Sequence, residues 1–340
     1  MTKSFSMPVW LYALILLPLI ASFVLFKMDK TPNNTVELVN MVKPGIVLIE
    51  NKIDTTNGGI GTGFILNDNM IVTNNHVIDG KGKITIVSPN SSRRYEADVI
   101  HADSIVDLAV IKLKDWDKFV AEEHPVNLTL GNSEEAKEGS KVVVVGHPWG
   151  LTWTVSEGII SSKNRRMGQN PKYIDQVDAK LFQGNSGGPI FNEDGKIVCV
   201  SELMLTGDGG SYGFCIPSNL VKKVLNDFEK FGKVKWRALN VQVGLTDDGS
   251  SVILENVEPD GAAGKAGLKS GDKILEIYTP KNHPKGVKPN DADDIITELS
   301  QMNGDDEIVK ILIDRNGEKM MFDVKTNYRL SEEYTPDKAK

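Results

Sequence analysis

Cysteine and histidine are scarce in this chain. Only Cys199 and Cys215 occur among 340 residues, with no Cys-x-x-Cys pair, and the five histidines His76, His101, His124, His147 and His283 are scattered. Such spacing points to no structural zinc site, no disulfide framework and no metal catalysis. The two cysteines read as buried free thiols; because 197–201 and 212–216 look like two strands joined by a loop, a bond between facing cysteines is the alternative. Runs of basic residues are also missing. The net charge of -7 is spread along the chain, and nothing longer than pairs such as Arg93-Arg94 and Arg165-Arg166 concentrates positive charge, so nucleic acid is not an expected partner.

Against these absences one apolar run stands out. Residues 9–26 carry no charge and, as a helix, are about long enough to cross the ~30 Å hydrocarbon layer. The rival is a cleaved signal peptide, but the run exceeds the ~7 to 15 apolar residues usual there and no Ala-x-Ala site follows. An uncleaved membrane anchor is the favoured reading. Lys3 and the amino terminus balance Lys27 and Lys30, so flanking charge does not orient it.

The segment Gly184-Asn185-Ser186-Gly187-Gly188-Pro189 places a serine between glycines. Glycine admits positive φ and close backbone approach, so the N–H groups of Gly184 and Ser186 can face one developing oxyanion. Ordinary turn chemistry uses the same residues. What separates the readings is a base and a carboxylate, which a serine nucleophile needs. His76 ends the apolar stretch Met70-Ile71-Val72-Thr73-Asn74-Asn75, and Asp107 opens Leu108-Ala109-Val110-Ile111-Lys112. The order His, Asp, Ser is that of the chymotrypsin-type double barrel; subtilisins and α/β-hydrolases run in other orders.

Thr73-Asn74-Asn75-His76-Val77-Ile78, Asp107-Leu108-Ala109-Val110-Ile111-Lys112 and Gly184 to Pro189 resemble the three signature blocks of the HtrA serine proteases. Gly61-Thr62-Gly63-Phe64-Ile65 lies before the histidine block, and Val155-Ser156-Glu157-Gly158-Ile159-Ile160-Ser161 before the serine block. The resemblance spans roughly residues 36–326. It implies a serine endopeptidase of envelope proteins, with His76, Asp107 and Ser186 as triad, Gly184 and Ser186 as oxyanion hole, and no cofactor. A non-proteolytic scaffold or chaperone of the same fold is the alternative. By the habit of its membrane-anchored members, the protease lies on the extracytoplasmic, periplasmic side and forms a homotrimer. In this fold the S1 wall comes from Lys180-Leu181-Phe182 and Ser201-Glu202-Leu203-Met204, so Leu181 and Leu203 are expected to favour small or medium apolar P1 residues.

The expected fold is mainly β. Short strands such as 45–49, 83–87, 95–100 and 141–146 build the barrels, and a helix begun at Pro217-Ser218-Asn219 closes the protease domain. The expected organisation is a short tail at 1–8, an anchor at 9–26, a linker at 27–35, a protease domain at 36–232, a single PDZ domain at 238–326 and a polar tail at 327–340. The PDZ resemblance rests on Ser251 to Pro259 and Ala262 to Leu275, and implies capture of a C-terminal peptide. At Ala238-Leu239-Asn240 the carboxylate loop lacks the family's aromatic and its glycine. Residues 279–291 read as an inert insertion or as a cover for the groove. Resemblance also makes the 163–172 loop, with Arg165 and Arg166, and the 206–211 loop the parts that transmit peptide binding.

Overall fold

A computed structural model describes residues 31–330 apart from 55–57, 81, 166–172, 208–209, 280–282 and 303–307. The apolar run at 9–26 and Arg166 lie outside the described residues. Among the described residues no helix is long and apolar enough to cross a membrane.

Helix α1 (Thr35–Val42) begins at Asn34, whose side chain accepts from the Glu37 amide. Six strands then close the first barrel: β1 (Ile46–Lys52), β2 (Gly58–Asn67), β3 (Met70–Thr73), β4 (Lys83–Val87), β5 (Arg94–Asp103) and β6 (Leu108–Leu113), in the order β1-β2-β3-β6-β5-β4. Within it lie the one-turn helix α2 (Asn75–Ile78) and, after it, α3 (Trp116–Glu123). A second closed barrel follows from β7 (Lys141–Gly146), β8 (Thr154–Arg165), β9 (Ile174–Val177), β10 (Pro189–Phe191), β11 (Ile197–Gly207) and β12 (Gly210–Pro217). β-branched residues fill both interiors, Ile49, Ile65, Ile71, Ile86 and Ile111 in the first and Val142, Val144, Val177, Ile190 and Val198 in the second. Closure leaves neither barrel an open edge.

A separate core joins the barrels. Phe64, Val72 and Val110 of the first meet Val143, Val145, Phe191 and Ile216 of the second, together with Leu38 of α1. Helix α4 (Ser218–Phe231) lays Leu220, Val221, Val224 and Phe228 on this seam, at the spacing of one helical face. Gly232, at φ 72°, ends it by donating its amide to the Phe228 carbonyl.

The third unit starts with β13 (Lys235–Ala238) and β14 (Val241–Leu245) and continues through β15 (Val252–Val257), α5 (Ala262–Ala266), β16 (Lys273–Thr279), β17 (His283–Val287), α6 (Ala292–Gln301), β18 (Ile308–Arg315), β19 (Glu318–Lys325) and β20 (Asn327–Leu330). Its main sheet runs β14-β15-β16-β18-β19, with β17 on β16. Val252, Ile274, Ile311, Ile313 and Leu299 form its own core.

Four sequence expectations need correction. Residues 327–330 are not tail: β20 pairs antiparallel with β13, Trp236 opposite Arg329. Long-range pairing of this kind leaves no local signal. Lys163 and Arg165 belong to strand β8, not to a loop, because Lys163 is held by the buried carboxylate of Asp175. Thr206–Gly207 and Gly210–Ser211 likewise continue a hairpin. Cys199 and Cys215 are not free thiols but a disulfide across β11 and β12, closing a separation of 16 residues. Both are fully buried beside Val177, Ile190 and Leu181.

In the chain-entropy account a loop of this size is worth about 3 kcal/mol. The double variant Cys199→Ala/Cys215→Ala is expected to lose about that much in denaturant unfolding, and peptide mapping without reductant should recover the two segments linked. Two separate peptides, with unchanged stability on reduction, would overturn the pairing.

Candidate active site

Strand β3 ends at the buried Thr73, and the single turn α2 that follows sets His76 at the rim, with its side chain half exposed. Asp107 reaches it from the turn before β6. Its Oδ2 lies 2.6 Å from His76 Nδ1, and its Oδ1 accepts the backbone N–H of His76 at 2.9 Å. Asp107 takes φ 64°, a left-handed conformation that costs an aspartate about 1 kcal/mol, and Asn74 secures it by donating Nδ2 to the Asp107 carbonyl at 2.8 Å. With the carboxylate on Nδ1, that nitrogen carries the proton and Nε2 is left as the base.

Ser186 comes from the other barrel, on the turn before β10. It shares with His76 a cavity of about 420 Å³ whose wall includes Leu181, Phe182, Leu203 and Met204. Leu181 and Leu203 thus both line this cavity. The hydroxyl of Ser186 donates to the Glu202 carbonyl at 3.1 Å, so the structure brings His76 and Asp107 together while Ser186 is turned to β11.

The turn itself is held open. The Gln183 carbonyl accepts from the Trp149 amide at 2.8 Å, and a trans peptide points its N–H the other way, so the Gly184 amide faces away from Trp149. Gly184 has φ 101°, and a Cβ there would lie 2.7 Å from the His147 carbonyl oxygen. Only glycine fits. Among the described residues the amides of Gly184 and Ser186 have no protein acceptor, which leaves two donors for an oxyanion.

Two participants, Trp149 and His147, escaped sequence reasoning, and Glu202, named in the wall segment, was not weighed in the expectation of an apolar pocket. Glu202 is 5% exposed and lines the cavity, so the wall is not purely aliphatic; alternation in β11 did not reveal it because the strand is bulged between Ser201 and Leu203. Trp149, at φ 51°, holds the Gln183 carbonyl and packs on Phe182 with ring centroids 5.0 Å apart. His147, two residues before it, is fully buried. The His147 Nδ1 accepts from the Trp153 amide at 3.4 Å, and its Nε2 has no partner among the described residues.

In the third unit, a cavity of about 290 Å³ opens between β14 and α6, lined by Leu239, Val241, Val243, Ile295, Ile296 and Leu299 among others. Ala238 and Asn240 line it too. Asn240 takes φ 60°, so asparagine supplies the left-handed turn in place of the missing glycine. No described residue of 279–291 lines this groove. His283 is instead tied to Glu298 at 2.9 Å. Arg165 is exposed at the end of β8, away from both cavities. Among the described residues no cluster suited to a metal ion occurs.

A family model for the trypsin-like peptidase domain matches residues 61–200. A probable periplasmic serine endoprotease, DegP-like, of Marinomonas sp. is 37% identical over 234 residues, 64% of this chain and 48% of that protein. Its counterpart in Halomonas elongata is 34% identical over 275 residues, 76% of this chain and 54% of that protein. The chain thus spans about half the length of these curated relatives. Among solved structures, an HtrA-type protease, AlgW, with a tripeptide superposes with a TM-score of 0.68 at 26% identity, covering 86% of this chain and 96% of that one. A serine endoprotease from Yersinia pestis gives 0.62 at 26% identity, covering 88% and 100%.

Burial lowers the His147 imidazole from 6.5 to about 4. Between those values the unfolded chain binds a proton that the folded one refuses, so stability is full above pH 6.5 and falls as pH drops toward 4. The loss amounts to about 3 kcal/mol at most. His147→Asn is expected to flatten this part of the stability profile in denaturant titrations at pH 7 and pH 4.5; a profile as steep as the wild type's would count against it.

Proposed function

The chain belongs to the HtrA family of serine proteases, and on that premise we propose that it is an endopeptidase of envelope proteins working through His76, Asp107 and Ser186. The observation that carries this reading is the His76 to Asp107 contact at 2.6 Å beside a cavity shared with Ser186. Ser186 attacks the scissile carbonyl, the Nε2 of His76 takes the proton and returns it to the leaving amine, and Asp107 holds the tautomer and stabilises the imidazolium. The amides of Gly184 and Ser186 receive the oxyanion, each worth roughly 3 kcal/mol. Leu181, Phe182, Leu203 and Met204 make a pocket for small or medium apolar P1 side chains.

In the same reading residues 36–232 are the protease domain, 9–26 tether it to the membrane with its active site in the periplasm, and 238–326 form a PDZ domain, the whole acting as a homotrimer. The groove between β14 and α6 receives a C-terminal peptide as an added strand, its carboxylate at the Ala238-Leu239-Asn240 turn. Peptide binding drives Ser186 from its resting contact with Glu202 toward His76. The course of the chain supports such coupling: Trp236 lines the groove and is buried in the seam core with Phe228 and Val224.

A fluorophosphonate probe is expected to label wild-type Ser186, and Ser186→Ala to lose both labelling and at least ~10³-fold in peptide hydrolysis. Product mapping by mass spectrometry should place Val, Ala or Leu before the cut. An unlabelled wild-type protein, or turnover retained by the variant, would refute the assignment. For control by the groove, peptides ending in apolar residues should raise the hydrolysis rate of the wild type and leave Ile296→Glu unaffected. Equal stimulation of both would exclude it.

A further inference from the structure

Thr62 lies in β2 of the first barrel and is fully buried, yet its polar contacts converge on the nucleophile turn of the second. Its N–H donates to the Ser186 carbonyl at 2.9 Å, and its hydroxyl donates to the Gly184 carbonyl at 2.7 Å. The same oxygen accepts the His147 amide at 3.1 Å, while the Thr62 carbonyl accepts the hydroxyl of Thr73, the last residue of β3, at 2.8 Å. A hydroxyl has one hydrogen to give. Here it is spent on Gly184.

Fixing a carbonyl fixes the plane of its peptide. The Trp149 amide pins the 183–184 plane and the Thr62 hydroxyl pins the 184–185 plane, so φ and ψ of Gly184 are both determined. The bond to the Ser186 carbonyl orients the next plane beyond the nucleophile. The glycines around Thr62 permit this approach: a Cβ on Gly61 would lie 3.2 Å from the Ser186 carbonyl oxygen, and one on Gly187 only 2.4 Å from the Thr62 carbonyl oxygen. A threonine suits the task because its β-branch restricts χ1.

We propose that Thr62 is a positioning residue that holds the amide donors of Gly184 and Ser186 in register with His76, transmitting the first barrel's frame to the second barrel's catalytic turn. This rests on Ser186 being the nucleophile.

The test compares Thr62→Val, Thr62→Ala and Thr62→Ser in the full chain with the wild type. Misplacing a catalytic group slightly costs up to about 100-fold, so Val and Ala are expected to lower kcat by about 10- to 100-fold. KM should change by less than about 2-fold, since substrate binding is not what is lost. Affinity for a peptide boronic acid, whose tetrahedral adduct on Ser186 carries the oxyanion oxygen, should fall in parallel with kcat. Thr62→Ser restores the hydroxyl and should stay within about 3-fold of wild type. If circular dichroism shows Thr62→Val unfolded, the Ala and Ser variants decide, because both lack the same methyl and only one lacks the oxygen. Equal activity of those two, a loss confined to KM, or unchanged boronate affinity would overturn the proposal. Wild-type protein that the fluorophosphonate leaves unlabelled would instead sink the Ser186 reading, and this inference with it.

Discussion

The apolar seam between the barrels is the constraint on which the rest depends. His76 and Asp107 belong to one barrel and Ser186 to the other, so no local geometry brings His76 and Ser186 to one cavity. Phe64, Val72 and Val110 against Val143, Val145 and Phe191 set the distance, and close packing makes that distance stiff. The polar atoms at the top of the seam are then placed by a surface that is itself insoluble in water. Three residues far apart in the chain become one site because burying the seam is worth more than leaving the barrels apart.

How much of this was legible beforehand follows the range of the interactions. The segments around His76, Asp107 and Ser186 carry local demands: an apolar strand ending in a polar turn, a carboxylate opening a strand, glycines where the backbone must bend. Helix α4 declared itself by periodicity, with Leu220, Val221, Val224 and Phe228 on one face. What stayed hidden depends on partners distant in sequence. The Cys199–Cys215 bond needs the offset between β11 and β12, and Lys163 joins β8 only because Asp175 on β9 receives it. Glu202 lies in a wall segment legible in the sequence, but the bulge between Ser201 and Leu203 is not. At Asn240 the residue type hides the conformation in another way, since an asparagine adopts φ 60° where the resemblance leads one to look for glycine.

Burial of charge follows the same economy of placement. Lys223 and Asp227, one helical turn apart on α4, are both buried and 2.9 Å apart, and Lys223 also donates to the Lys235 carbonyl while lying over the Trp236 ring at 4.6 Å. Burial pulls the lysine below its ordinary pKa, with Asp227 acting against that pull. A buried pair of this kind adds little net stability but is costly to break. Its effect here is directional, since it joins α4 to Lys235 at the start of the next unit.

The pairing of β13 with β20 gives that joint a further property. The chain enters the third unit along 235–238 and leaves it along 327–330, and the two strands lie side by side. A unit whose way in and way out are bonded to each other is mounted on a single two-stranded stem, and a ribbon bends across its flat face far more readily than within its plane. The groove-bearing unit is thereby held by two bonded strands instead of a single connecting chain, and Trp236 on one of them is anchored in the seam.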